Sequence, residues 1–299
     1  MDYLERNGCF ARVVSVEHLE ELRNEVRSLH EEGFLDEGFY HEWIKPRLDP
    51  KKARGMGKAK SIFVTALPTP ATRTKFHWAG QTIELTVPPT YGSYASASNR
   101  TMKLLKEAFG PEKHWMARAI LPVKLLAVRS GLAQYGRNNI TYIPKYGSFH
   151  TLAAVYTDFE SPEDHWQEKV ALSRCEKCRA CMKACPTGAI CEDRFLIRVE
   201  KCLTYYSEMP ASRPFSDWIP SKAHNCIIGC MHCQRVCPLN RKFIQWIGEE
   251  EEFSEEETAL LLEGVPADRL PAITLGKLER LSLVDYLDSL PRNLGVFFK

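Results

Sequence analysis

What the chain lacks narrows its class first. No stretch of its 299 residues approaches the roughly 18 apolar positions that a membrane helix needs. The opening, MDYLERNGCFARVV, carries acids early, has no apolar core region and no twin-arginine pair, so it does not read as a secretory signal. Charge of one sign is scarce: 40 Lys/Arg against 38 Asp/Glu leave a net +2, which by itself recruits neither nucleic acid nor a membrane. Between Glu112 and Asp158 there is no acidic residue at all. Cysteine is nearly missing outside one region, because ten of the eleven lie between Cys175 and Cys237. A secreted disulfide domain would be short and would carry a signal. The expectation is therefore a soluble, cytoplasmic chain with no membrane partner, whose cysteines bind metal in a reducing compartment.

What is present is ordinary globular composition, 44% hydrophobic and 26% charged, with unevenly placed charge. Residues 171–245 hold twelve Lys/Arg against six Asp/Glu, and residues 246–299 hold five against twelve. The basic segment and the acidic tail suit each other, or a charged partner. The tail is expected to be dispensable for metal binding.

The periodicity predicts a helix over 15–32, with Ser15 as N-cap and Leu19, Leu22, Val26 and Leu29 on one face. Residues 61–67 (SIFVTAL) read as a buried strand and 83–87 as a second. Residues 90–99 read as a loop, 100–109 and 121–130 as helices, and 140–143 and 152–156 as short strands. Ser254 with Glu257 forms a capping box before an apolar run that stops at Gly264, and 276–290 reads as one more helix. Without a regular βαβ repeat, the expected class is α+β. Three parts follow: 1–170 as a cofactor and substrate domain, 171–245 as a cluster domain, and 246–299 as an acidic helical tail.

The cysteine spacing carries the chemistry. Cys175-x₂-Cys178-x₂-Cys181-x₃-Cys185-Pro186 is the bacterial ferredoxin run, in which three thiolates hold one corner of a cluster and the fourth crosses to the other. Zinc sites show separated pairs instead. A second set, Cys230-x₂-Cys233-x₃-Cys237-Pro238, lacks its first cysteine, since position 227 is Ile. Crossed ligation gives two [4Fe-4S] clusters. Cluster one takes Cys175, Cys178, Cys181 and Cys237; cluster two takes Cys185, Cys230, Cys233 and either Cys202 or Cys226. Cys191 and the remaining one are spare, and the isolated Cys9 is structural. Two clusters imply one-electron relay, and the roughly 170 residues ahead of them exceed what a carrier needs.

Residues 174–190 (RCEKCRACMKACPTGAI), 201–205 (KCLTY) and 228–240 (IGCMHCQRVCPLN) resemble epoxyqueuosine reductase, a cobalamin-dependent family of tRNA queuosine synthesis. So do Arg47-Leu48-Asp49-Pro50, residues 57–64 (GKAKSIFV), residues 127–132 (AVRSGL) and the turn Gly147-Ser148-Phe149. The loop 131–139 (GLAQYGRNN) is closer to the related reductive dehalogenases. The resemblance covers about residues 40–245.

It implies a nitroreductase-like α+β cobalamin domain fused to a ferredoxin-like double [4Fe-4S] domain. It assigns Cys202 to cluster two. It also implies a base-off corrinoid reduced through the clusters from a low-potential electron donor, acting on a small-molecule or nucleoside-like substrate, with tRNA as a family partner. The helical repeats that bind tRNA in longer members are not found. The family's catalytic Asp stands three residues before a proline, where this chain has Ala119 ahead of Pro122, so a carboxylic acid donor is either missing or supplied from elsewhere. Tyr135 with Arg137 is the candidate general acid and its cation. Arg47, Arg137, Asn138 and Asn139 are candidate corrinoid contacts. His114 and His150 are lone histidines, a residue pattern that more often serves structure. The alternatives to a reductase are an iron–sulfur electron-transfer protein and a corrinoid-binding or processing protein.

Overall fold

Two-residue alternation sorts the first sheet onto two cores. In the computed structural model, which describes residues 1–48, 56–110 and 112–298, strands β1 (Phe10–Ser15), β2 (Ser61–Pro68), β5 (Met116–Arg118) and β8 (His150–Thr157) form an antiparallel sheet in the order β1-β2-β8-β5. Val14, Ile62, Val64, Ala154 and Tyr156 point to one face, against Leu22 and Val26 of the helix Leu19–Glu31 and Leu126 of the helix Val123–Arg129. Ala11, Val13, Phe63 and Val155 point to the other, against Leu104 and Leu105 of the helix Tyr94–Phe109. Both faces are covered, which is why 61–67 reads as a continuous apolar run.

The expected strands and helices of this half are found, with differences at their ends. Ser15 caps a 3₁₀ turn, Val16–His18, that leads into the first long helix. The expected loop 90–99 is already helical from Tyr94, because the Ser93 side chain accepts from Ser96 N at 3.1 Å. Asp49 and Pro50 lie outside the described residues.

The second sheet corrects the reading of the C-terminal segment. Strands β3 (Ala71–Trp78) and β4 (Gln81–Val87) form a hairpin, and β9 (Ile247–Phe253) adds parallel to β3. The acidic run was expected to open a helical tail. It is a strand because β3 supplies the opposite charges: Arg73 meets Glu250 at 3.2 Å and His77 meets Glu252 at 2.5 Å. Beyond it, the Ser254 capping box and the left-handed Gly264 bound the helix Glu255–Glu263 as expected. The expected helix 276–290 is instead Ala272–Arg280 followed by a 3₁₀ stretch, Val284–Ser289. Phe253, Leu261, Leu278, Leu290 and Leu294 are buried with Phe76 and Leu85 of the hairpin and with Ile227 and Ile228 of the cysteine segment. The expected boundary at 245 is thus bridged by a sheet and a core.

The cysteine segment docks on the turn after β7 (Thr141–Tyr142), which pairs with β6 (Gln134–Tyr135). Ser148 N donates to Asn240 Oδ1 at 2.9 Å, and Ser148 Oγ donates to Gln234 Oε1 at 2.8 Å. Gly147 precedes this knot at φ 58°, and a Cβ there would sit 2.3 Å from Asn240 Oδ1. Only glycine serves both needs. Among the described residues, no helix is long and apolar enough to cross a membrane.

Candidate metal centre and adjoining cavity

Each cysteine run ends in the same device. The short helices Ala180–Ala184 and His232–Arg235 pack together, and Cys185 and Cys237, each before a proline, lie in extended backbone. Proline disfavours helix at the residue ahead of it, so the last cysteine of each run is thrown outward. The neighbourhoods then cross. The Cys181 thiol is pushed up by burial and by the nearby Cys175, Cys178 and Cys237. That of Cys230 is raised by burial, with Cys185 among its neighbours. Cys233 is raised by burial, then by Cys230 and Cys202. Such thiols give up their protons when a metal group compensates the charge. Among the described residues, no three cysteine sulfurs come within 4.8 Å of one another. Four thiolates on one zinc ion, at about 2.3 Å each, would be closer than that. The donor set and its spread fit two larger inorganic cores.

Cys185, Cys202, Cys230 and Cys233 all line one cavity of about 340 Å³. Cys226 does not. It is buried beside Phe149 and Met231, and its Sγ lies 2.9 Å from Asn225 Oδ1. Cys191 faces the carbonyls of Gly188 and Ala189, and the buried Cys9 thiol is pushed up to about 11 by burial.

The wall facing the cysteines includes Tyr91, Tyr94, Lys124, Asn139, Thr141 and His150. His150 Nδ1 donates to Gly147 O at 3.2 Å, which leaves Nε2 to accept from the Thr141 hydroxyl at 3.0 Å. Burial lowers its pKa to about 4. The unfolded ring, near 6.5, then binds the proton more readily than the folded one, so stability falls as pH drops below about 6.5 and the loss is complete below about 4. Between pH 7 and 5.5 the chain should lose about 1 kcal/mol through this ring. Urea unfolding of the wild type and His150→Gln at the two pH values checks this; an equal pH response in both would show that the ring is not the cause.

The other sequence candidates separate. Asn139 lines the cavity in a left-handed conformation (φ 56°), and its buried Nδ2 has no hydrogen-bond partner. That orphan donor suits a ligand rich in carbonyl acceptors, as the amide-fringed corrinoid is. Asn138 also lines the cavity, but its Nδ2 donates to the Tyr142 hydroxyl at 3.0 Å, and it further bonds the Cys233 thiol. Tyr142 in turn bonds Cys237. This pair reaches a sulfur of each set. Tyr135 and Arg137 depart from the expected acid–cation pair. Tyr135 is 8% exposed in the core, edge-on to Phe195, with its hydroxyl pKa raised by burial. Arg137 donates to Cys175 O at 2.9 and 3.2 Å and so braces the first cluster run. Tyr135 ends β6 and Arg137 stands in the turn that follows it, so the two side chains meet different surroundings, which loop spacing alone does not reveal. Arg47 stands over the Trp43 ring at 5.5 Å and is not part of the cavity wall. His114 pairs with Asp158 at 3.0 Å, away from the site.

Sequence reasoning missed Tyr91, Lys124 and Glu208. Lys124 follows Pro122 by two residues, and Glu208 follows Cys202 by six on the helix Leu203–Glu208, which was the available signal.

Residues 174–240 match the family described as "4Fe-4S double cluster binding domain". The chain is 35% identical over 144 residues to an epoxyqueuosine reductase of Cyclobacterium marinum, covering 47% of this chain and 44% of that one. With the Bacillus subtilis epoxyqueuosine reductase it shares 29% over 219 residues, 70% of this chain and 54% of that one. The matched part therefore spans about half the length of these curated relatives. A solved structure of the B. subtilis enzyme superposes with a TM-score of 0.67 at 23% identity, over 99% of this chain and 78% of that one. The chain thus resembles epoxyqueuosine reductases in sequence and shares their α+β fold with its double-cluster module.

Proposed function

We propose that this chain is a cobalamin-dependent iron–sulfur reductase of the epoxyqueuosine reductase kind, with two [4Fe-4S] clusters relaying electrons from a low-potential donor toward a base-off corrinoid. Cys175, Cys178, Cys181 and Cys237 hold one cluster, and Cys185, Cys202, Cys230 and Cys233 hold the other. The observation that carries the reading is the cavity, walled on one side by the second set and on the other by polar groups that include the unpartnered Asn139 amide. The cysteine side of that cavity is the second cluster's own seat; the facing wall of Tyr91, Lys124, Asn139 and His150 is what an electron carrier does not need. A bound corrinoid supplies a strongly nucleophilic, low-potential metal centre. The chain's own residues bind it through Asn139, tune the clusters through Asn138 and Tyr142, and keep the facing wall free of carboxylates. The substrate is an epoxide-bearing nucleoside, free or presented in a tRNA stem loop, as the relatives' names suggest.

The test is anaerobic reconstitution with iron and sulfide, followed by the visible spectrum with and without added cobalamin. A saturable base-off spectrum at one corrinoid per chain, weakened in Asn139→Leu, is expected. A folded, cluster-loaded chain that binds no corrinoid would leave electron transfer as the better reading.

A further inference from the structure

The cavity has titratable walls but no acid on them. Tyr94 is committed, donating to Ala119 O and accepting from Ala154 N. His150 is held by Gly147 and Thr141, and His232 Nε2 by Ala223 O at 3.0 Å. Two groups remain beside the cysteines. Lys124 Nζ donates to the Asn139 carbonyl at 3.3 Å. Tyr91, at the end of the 3₁₀ turn Pro89–Tyr91, lines the cavity and hydrogen-bonds the carboxyl of Glu208, which lies behind it.

We propose that Glu208, acting through the Tyr91 hydroxyl, delivers the proton for reduction in this cavity, in place of the carboxylate that the 112–158 segment lacks; this rests on the reductase reading above. The placement is built. Gly229, at φ 70°, lets the Tyr91 ring approach so closely that a Cβ there would lie 2.5 Å from it. The Tyr286 ring meets Tyr91 edge-on at 5.4 Å from the far side. The helix Leu203–Glu208 has Cys202 as its N-cap and Glu208 as its last residue. One helix of about 9 Å thus ties a cluster cysteine to the acid. The charges around Glu208 come from Lys124 and Arg47, with Tyr91 and Tyr286 as its other titratable neighbours; Cys202 in turn faces Tyr91 and Lys124. Burial raises the Glu208 carboxyl above the usual carboxylate range, while the Tyr91 hydrogen bond and the charges of Lys124 and Arg47 pull it down.

The step balances as a relay. Reduction of the epoxide takes two electrons and two protons and breaks a C–O bond. With Glu208 protonated, its carboxyl donates to Tyr91 Oη, the reverse of the bond in the structure. Its proton passes to Tyr91 Oη while the phenolic proton passes to the epoxide oxygen as that C–O bond breaks; the second proton comes from water. The electrons come from the low-potential donor. Glu208 ends as a carboxylate beside Lys124, Tyr91 is restored, and water returns the proton.

The test uses the cluster-loaded full chain. In infrared spectra taken before any corrinoid is added, a protonated carboxylic acid band that shifts in D₂O should titrate with pH, vanish in Glu208→Gln and move in Tyr91→Phe. With cobalamin, reduced methyl viologen and an epoxyqueuosine-containing stem loop, both variants should lose turnover by about 10²–10⁴-fold, with iron content and cobalamin binding unchanged. Glu208→Asp should recover part of the loss. Tyr135→Phe, a core change, should stay within about twofold of wild type. If Glu208→Gln turns over like wild type, or no band is lost with it between pH 5 and 8, the relay is overturned. If the wild type itself binds no cobalamin, the reductase reading falls first, and the relay with it.

Discussion

Replacing Cys202 with alanine should halve the iron, from about eight to about four atoms per chain by the crossed ferredoxin count, while Cys226→Ser leaves it unchanged. The two cysteines were equal candidates from spacing alone. The structure separates them by surroundings. Cys202 shares a cavity wall with Cys185, Cys230 and Cys233. Burial, with Cys230 as a further contributor, pushes its thiol up to about 11. Cys226 sits in an apolar cluster with its sulfur turned to Asn225. Anaerobic iron and sulfide analysis reads the result directly, and low-temperature EPR of the reduced protein should show one spin system in Cys202→Ala in place of two interacting ones. Turnover should fall below detection in that variant, since the lost cluster is the one bordering the cavity. If Cys226→Ser halves the iron and Cys202→Ala does not, the ligand role passes to Cys226.

Ending the chain after Trp246 should leave no folded protein, and hence no clusters. The deletion removes β9, which completes the second sheet, and strips Phe253, Leu261, Leu270, Leu278, Leu281, Leu283, Leu287, Leu290 and Leu294 from a shared core. Each such side chain contributes about 1.5–3 kcal/mol when buried. What remains would expose Phe76, Leu85, Ile227 and Ile228, the last two just ahead of Cys230. Near-UV circular dichroism and iron binding of the 1–246 fragment measure this. A soluble fragment with native ellipticity and eight iron would restore the picture of a dispensable tail.

Local pattern reached far in the first sheet and less far elsewhere. The run at 61–67 is legible because both faces of β2 are covered, so every residue had to be apolar or small. The strand β9 is not legible because four successive glutamates carry no apolar alternation; their partners, Arg73 and His77, are about 175 positions away. Tyr135 and Arg137 were plausible as a pair because the loop sequence sets a tyrosine beside a cation. The burial of one and the capture of the other by Cys175 O depend on chain that returns 38 positions later.

By itself, the sequence determined the chemistry of the metal centre. The three-residue steps and the two Cys-Pro endings constrain thiolate geometry locally, so a double-cluster module over these runs is legible without the fold. Only the tertiary structure shows that Cys202 and not Cys226 shares a cavity wall with Cys185, Cys230 and Cys233, that Tyr91 meets Glu208, and that the acidic segment belongs to the body. Each of those depends on desolvation and on charges brought together from distant parts of the chain. Tyr91 and Lys124 meet at one cavity, and Glu208 hydrogen-bonds Tyr91 from a third element; no spacing along the chain encodes that meeting.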